Sequence, residues 1–89
     1  MDKYEKYLSE NSYGKSFLYM LLDRLRIDCD FYLGFGNRHS KYLWAGNEAD
    51  QIGYMKAIWN MLSDSEKPEW LTYDKILEYE MKMTEREGN

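Results

Sequence analysis

From Lys15 to Leu33 no glycine or proline interrupts the chain, and apolar side chains recur at Leu18, Leu21, Leu22, Leu25, Cys29 and Tyr32, the spacing of one helix face. At about 100° per residue a second apolar row, Phe17, Met20, Ile27 and Phe31, lies beside the first. Only Tyr19, Asp23, Arg26 and Asp30 form a polar strip. So wide an apolar arc asks for cover on two sides, which predicts that this is the central helix of the fold. Arg24 and Asp28, four apart, fall between the two rows. Either they pair there in partial shelter, or the Arg24 stem lies on the core with its head in water.

The chain has 89 residues, too few to divide into two pieces that each bury a core, so residues 1–89 are read as one domain. Apolar residues make up 44% of it, with nine tyrosines and three tryptophans, enough large side chains to order a core. A domain this small is marginally stable, and self-association that covers leftover apolar surface stays open. The single cysteine, Cys29, cannot form an internal disulfide, and no secretory leader pattern precedes Tyr4. The expected location is therefore the cytoplasm. The longest apolar run, residues 17–22, is far below the roughly 20 residues that cross a bilayer.

Net charge is −4, and the acidic excess lies in residues 46–89. An acidic surface disfavours general binding to phosphate backbones, which depends on Lys and Arg displacing counterions. It suits solubility or a basic protein partner.

Residues 1–12 mix Tyr4, Tyr7 and Leu8 with charges and close on Ser9, Asn11 and Ser12, and are read as a short N-terminal arm. The helical core spans 13–84. Gly34 sits where a helix ends, and a long loop, residues 34–47, follows the first main helix. Asn47 is placed to cap the second, whose first turn holds Glu48 and Asp50 as the helix dipole prefers. Its buried stripe is Ile52, Met55, Ile58, Trp59 and Leu62. Residues 63–70 break the pattern around Pro68. Thr72 reads as the next N-cap, Leu71 and Ile76 as a hydrophobic staple, and the last helix runs from Tyr73 to about Met83 with Ile76, Leu77 and Tyr79 inward. Residues 85–89 are expected to fray. Nothing alternates long enough to demand a strand, so the predicted fold is all-α: three helices, a short arm and a long loop.

One histidine and one cysteine cannot supply a four-ligand zinc site within one chain. His39 is the only imidazole base, beside Ser40 but with no orienting acid. The chain is therefore read as non-catalytic, without metal or cofactor. Arg38, His39 and Lys41 interleave with Phe35, Tyr42 and Trp44, a mixture suited to stacking on bases and also to anchoring protein partners. The candidate partner-binding residues are Arg38, His39, Lys41 and Tyr42, with Glu66, Glu69, Glu78 and Glu80 as an acidic alternative.

Four segments in order, Asp28-Cys-Asp-Phe-Tyr-Leu-Gly-Phe-Gly-Asn-Arg, Tyr42-Leu-Trp-Ala-Gly-Asn, Gln51-Ile-Gly-Tyr-Met-Lys and Lys67-Pro-Glu-Trp-Leu-Thr, carry a family resemblance. Over roughly residues 20–83 the chain resembles the large polyvalent protein-associated domains, the eleventh-numbered type. The resemblance implies a setting in bacteriophages and conjugative elements, where such domains are fused into very large proteins thought to enter a new host with the DNA. It assigns no residue a role. For a small acidic protein of such an element it points to binding and inhibiting a host defence nuclease, including a CRISPR effector. The alternatives are a nucleic-acid-associated accessory module and a structural interaction module, a homodimer formed through the spare apolar arc of the first main helix.

Overall fold

The computed structural model describes residues 2–11 and 14–84, so the expected fraying of 85–89 and the turn at Ser12 lie outside the described residues. Four α-helices are present among them: α1 (Lys3–Asn11), α2 (Lys15–Leu33), α3 (Glu48–Met61) and α4 (Tyr73–Thr84). Single 3-10 turns form at Ser40–Tyr42 and Asp64–Glu66. The chain is all-α, as its periodicity predicts, but with four helices instead of three.

The difference is the N-terminal arm, which is a helix. Asp2 starts it, its carboxylate accepting the Glu5 N–H at 2.9 Å. Tyr4, Tyr7 and Leu8 then share one face, and Leu8 is fully buried. Nine residues are marginal as an isolated helix, so docking supplies the stability that local propensity lacks. The dock is α3 at Gly53, where an added Cβ would sit 2.8 Å from Tyr4 Cε1 and closer still to other ring atoms. Tyr4 and Tyr7 pack edge-on against Tyr54, with ring centroids at 4.9 and 5.6 Å. The Tyr4 hydroxyl donates to Asp50 at 2.8 Å. Trp44 closes this aromatic cluster at 5.3 Å from Tyr54.

A second correction concerns the centre of the fold. The helix at the centre is α3, against which α1, α2 and α4 all pack. On α2 the first apolar row is buried as expected. Its second row is not covered: Met20, Ile27 and Phe31 remain 65%, 49% and 41% exposed, while Phe17 is partly buried. The reason is that the polar strip beside that row is already engaged. Arg26 pairs with Asp23 and lies over the Trp70 ring, and Asp30 accepts from Tyr79 at 2.7 Å, so α4 approaches α2 from the polar side.

Helix ends follow local chemistry closely. Asn47 accepts the Asp50 N–H at 2.8 Å, and Thr72 Oγ1 accepts from Lys75 N–H at 3.1 Å. Leu71 and Ile76, the expected staple, are both buried. On α4 the inward set is Ile76, Tyr79 and Met83, whereas Leu77 is exposed, because a residue one step from Ile76 is turned about 100° away. Trp59 is half-buried, its ring under the Lys67 ammonium.

Candidate functional site

The loop of residues 34–47 is held on both flanks by hydrogen bonds that begin in its own neighbours. Gly34 stops α2 by donating to the Asp30 and Phe31 carbonyls, but its φ of −108° is one that any residue adopts. Glycine is demanded at Gly46 by a φ of 85°, and by close approach at Gly36, whose N–H reaches the Phe31 carbonyl at 2.7 Å. A Cβ there would meet that oxygen at 2.9 Å and the Phe31 and Tyr42 rings at 3.1 Å. Asn37 and Arg38 then take the left-handed backbone, φ 52° and 61°, which turns the chain so that Arg38 N–H bonds the Tyr32 carbonyl at 2.8 Å.

The far side of the loop is pinned by two buried polar side chains. Asp28 accepts the Trp44 N–H at 2.9 Å and the Arg24 Nε–H at 3.1 and 3.2 Å. Gln51, with no exposed surface, accepts the Ala45 N–H at 3.0 Å and donates to the Leu25 carbonyl at 3.2 Å. A buried polar group that loses such a partner costs about 1–3 kcal/mol, so these bonds fix where the loop can lie. Leu43, buried, anchors the stretch between. Arg24 and Asp28 thus pair between the two apolar rows, and the Asp28 carboxylate serves the loop as well.

On this frame three of the four loop candidates, His39, Lys41 and Tyr42, come together, and Arg38 reaches α4. Tyr42 packs edge-on against Phe31 with centroids at 5.0 Å, His39 stands 6.4 Å from the Tyr42 ring, and Lys41 Nζ lies 5.2 Å from its centre. Arg38 Nη1 donates to the Lys82 carbonyl at 2.7 Å, in the last turn of α4, where the helix dipole favours a cation. Arg38, His39, Lys41 and Tyr42 are all exposed. Phe35, one of the aromatics interleaved with them, stands out at 90% exposure.

Three of the four acidic candidates are engaged within the molecule. Glu66 bonds Ser63 N–H at 2.8 Å, pairs with Lys15 and offers its carbonyl to the Tyr19 hydroxyl, joining the 3-10 turn to α2. Glu80 is paired with Lys56 at 2.9 Å, across to α3. Glu78 sits between Lys82 at 2.7 Å and Lys75 at 3.2 Å, and their hydrogen bonds hold its carboxyl below its ordinary range. Glu69 is exposed.

Burial pushes the Cys29 thiol up to about 12, with Asp30 and Asp28 adding to the effect, so at neutral pH it is a protonated core side chain in contact with the Met55 sulfur at 3.7 Å. Among the described residues no three His, Cys, Asp or Glu side chains converge as a metal site would require, and no helix is long and apolar enough to cross a membrane.

No curated protein and no solved structure matches the chain. A family match covers residues 15–83, which holds α2, the loop, α3 and nearly all of α4 and leaves α1 outside. The residues that pin the loop, Asp28, Trp44, Ala45 and Gln51, all fall within it. The chain belongs to the family of large polyvalent protein-associated domain 11, domains of polyvalent phage and mobile-element proteins.

Proposed function

We propose that this protein is a non-catalytic binding module of a mobile element, acting in the cytoplasm of a bacterial host by contact with a defence nuclease such as a CRISPR effector. The observation that carries the reading is the basic and aromatic group of His39, Lys41 and Tyr42, next in sequence to an Arg38 held on α4, in a chain of net charge −4. Holding these side chains on a loop tied down by Asp28 and Gln51 lowers the ordering cost of binding. Aromatic and arginine anchors of this kind dominate protein interfaces. Family membership supports the mobile-element setting.

The test is co-expression with CRISPR nucleases of the common types during plasmid or phage challenge. Interference falls with the native chain and returns when the exposed His39 and Lys41 are replaced together, His39→Glu with Lys41→Glu, with the melting curve unchanged. Undiminished interference across all types refutes the inhibitor reading. A second reading, a nucleic-acid-associated accessory module, is favoured by the same Lys41 and Tyr42 pairing, since bases stack on such surfaces. It predicts a mobility shift with single-stranded DNA that weakens steeply with salt, and no shift at low salt removes it.

A further inference from the structure

We propose that the face of α3 covered by α1 is a helix-docking socket for a second copy of this chain, each copy presenting its α1 to the other. The residues that receive Tyr4, Tyr7 and Leu8 of α1 come from α3 and the loop of residues 34–47. Gly53 makes room for the Tyr4 ring, and the three nearest atoms that an added Cβ would meet all belong to that ring. Asp50 accepts from the Tyr4 hydroxyl at 2.8 Å, and Tyr54 and Trp44 stand edge-on to Tyr7 with centroids at 5.6 and 6.3 Å. Leu8 is sealed from water.

Plug and socket belong to different parts of the chain. Trp44, Asp50, Gly53 and Tyr54 all lie within residues 15–83, the span of the family match, whereas α1 lies wholly outside it. Helices α2, α3 and α4 pack on one another in all three pairings, and α1 packs chiefly on α3. Unseating α1 therefore leaves the other three helices their mutual contacts. It leaves α1 with none, and nine residues are too few to hold a helix alone in water, so α1 keeps its structure only where a socket receives it.

These facts identify the occupant. The socket is shaped for a helix carrying Tyr, a second Tyr three residues on and Leu directly after it, and a second copy carries that helix. Each contact that α1 makes in its own chain is available unchanged in another, so own-chain and exchanged docking differ only in the link and in concentration. Residues 12–14 are the whole of that link, a short hinge of the kind through which elements are exchanged. With two lysines and two glutamates α1 has no net charge, so the acidic excess of a second copy does not repel it.

The test mixes two full-length variants, each defective in one half of the pairing. Leu8→Asp unseats its own α1 and leaves the socket empty, while Gly53→Leu blocks the socket and leaves an intact α1 without a seat. Sedimentation equilibrium and circular dichroism are run on each alone, where a monomer is expected, and on the equimolar mixture from micromolar to millimolar concentration. The mixture is expected to form a one-to-one heterodimer with more helix than the mean of the separate spectra, because the unseated α1 folds into the empty socket. Tyr4→Phe added to the Gly53→Leu chain removes one hydroxyl from the joint and weakens the heterodimer about two- to tenfold. If Leu8→Asp loses the helical spectrum of the remaining chain, Tyr4→Ala with Tyr7→Ala empties the socket in its place. A mixture that stays monomeric, a dimer in either variant alone, or a heterodimer indifferent to Tyr4→Phe overturns the proposal.

Discussion

Replacing Gly53 by alanine sets two physical effects of opposite sign against each other. In a helix interior glycine is about 0.8–1.0 kcal/mol less favourable than alanine, so helix propensity alone makes Gly53→Ala stabilising. In this protein the new Cβ would overlap the Tyr4 ring, which must move. Tyr4 then loses its 2.8 Å hydrogen bond to Asp50, worth about 0.5–1.5 kcal/mol. It also loses its edge-on contact with Tyr54, worth about 0.5–1.5 kcal/mol. Part of its apolar burial goes too, roughly 1 kcal/mol at about 25 cal/mol per Å². The losses exceed the propensity gain, so the expected net change is a destabilisation of about 1–3 kcal/mol, a fall in Tm of roughly 4–8 °C for each kcal/mol in a domain of this size. The assay is urea unfolding followed by circular dichroism, run as a cycle with Tyr4→Ala. With the ring already absent, Gly53→Ala should revert to stabilising by about 1 kcal/mol. If Gly53→Ala stabilises the native chain, or behaves alike in both backgrounds, the docking of α1 over Gly53 is refuted.

Two further perturbations address the loop and the core. Gln51→Leu keeps the bulk but strands the Ala45 N–H, while the Leu25 carbonyl keeps its bond within α2, so a loss of about 1–3 kcal/mol is expected together with faster hydrogen exchange at Ala45 and Trp44; unchanged protection there would show that the loop is not pinned by this side chain. Cys29 is an acid whose native pKa is raised from 9.0 to about 12, so its contribution is fully present below pH 9 and lost as pH rises from about 9 to about 12. Cys29→Ala should therefore lose less stability over that alkaline window than the native chain, by about 1.4 kcal/mol for each step of one in pH, whatever its cost at neutral pH; equal alkaline slopes in denaturant titrations would contradict a buried thiol.

The three longer helices, their caps and the staple before α4 were legible because each depends on residues within about one turn: Asn47 with Asp50, Thr72 with Lys75, Leu71 with Ile76. The α1 helix was not, since Ser9 and Asn11 read as turn residues and only docking on α3 outweighs that local preference. The candidate site was half legible. His39, Lys41 and Tyr42 lie side by side while Arg38 reaches across to α4, and nothing in the spacing reveals that Asp28 and Gln51 hold the loop from behind. Nor does the sequence reveal that Glu66, Glu78 and Glu80 each meet a lysine, since for Glu66 and Glu80 that lysine arrives from another element.

The run from Lys15 to Leu33 shows where the division falls. That it is a helix, and that it carries two apolar rows with Arg24 and Asp28 between them, was determined by the sequence alone, because periodicity and the absence of helix breakers act along the chain. Which row becomes core was decided only by the tertiary structure. The first row is buried because α3 and α4 come to it, and α4 comes from the polar side because Tyr79 meets Asp30 and Trp70 meets Arg26. The second row stays in water for the same reason. Burial is a property of what approaches from a distance, and no count of residues along one helix contains it.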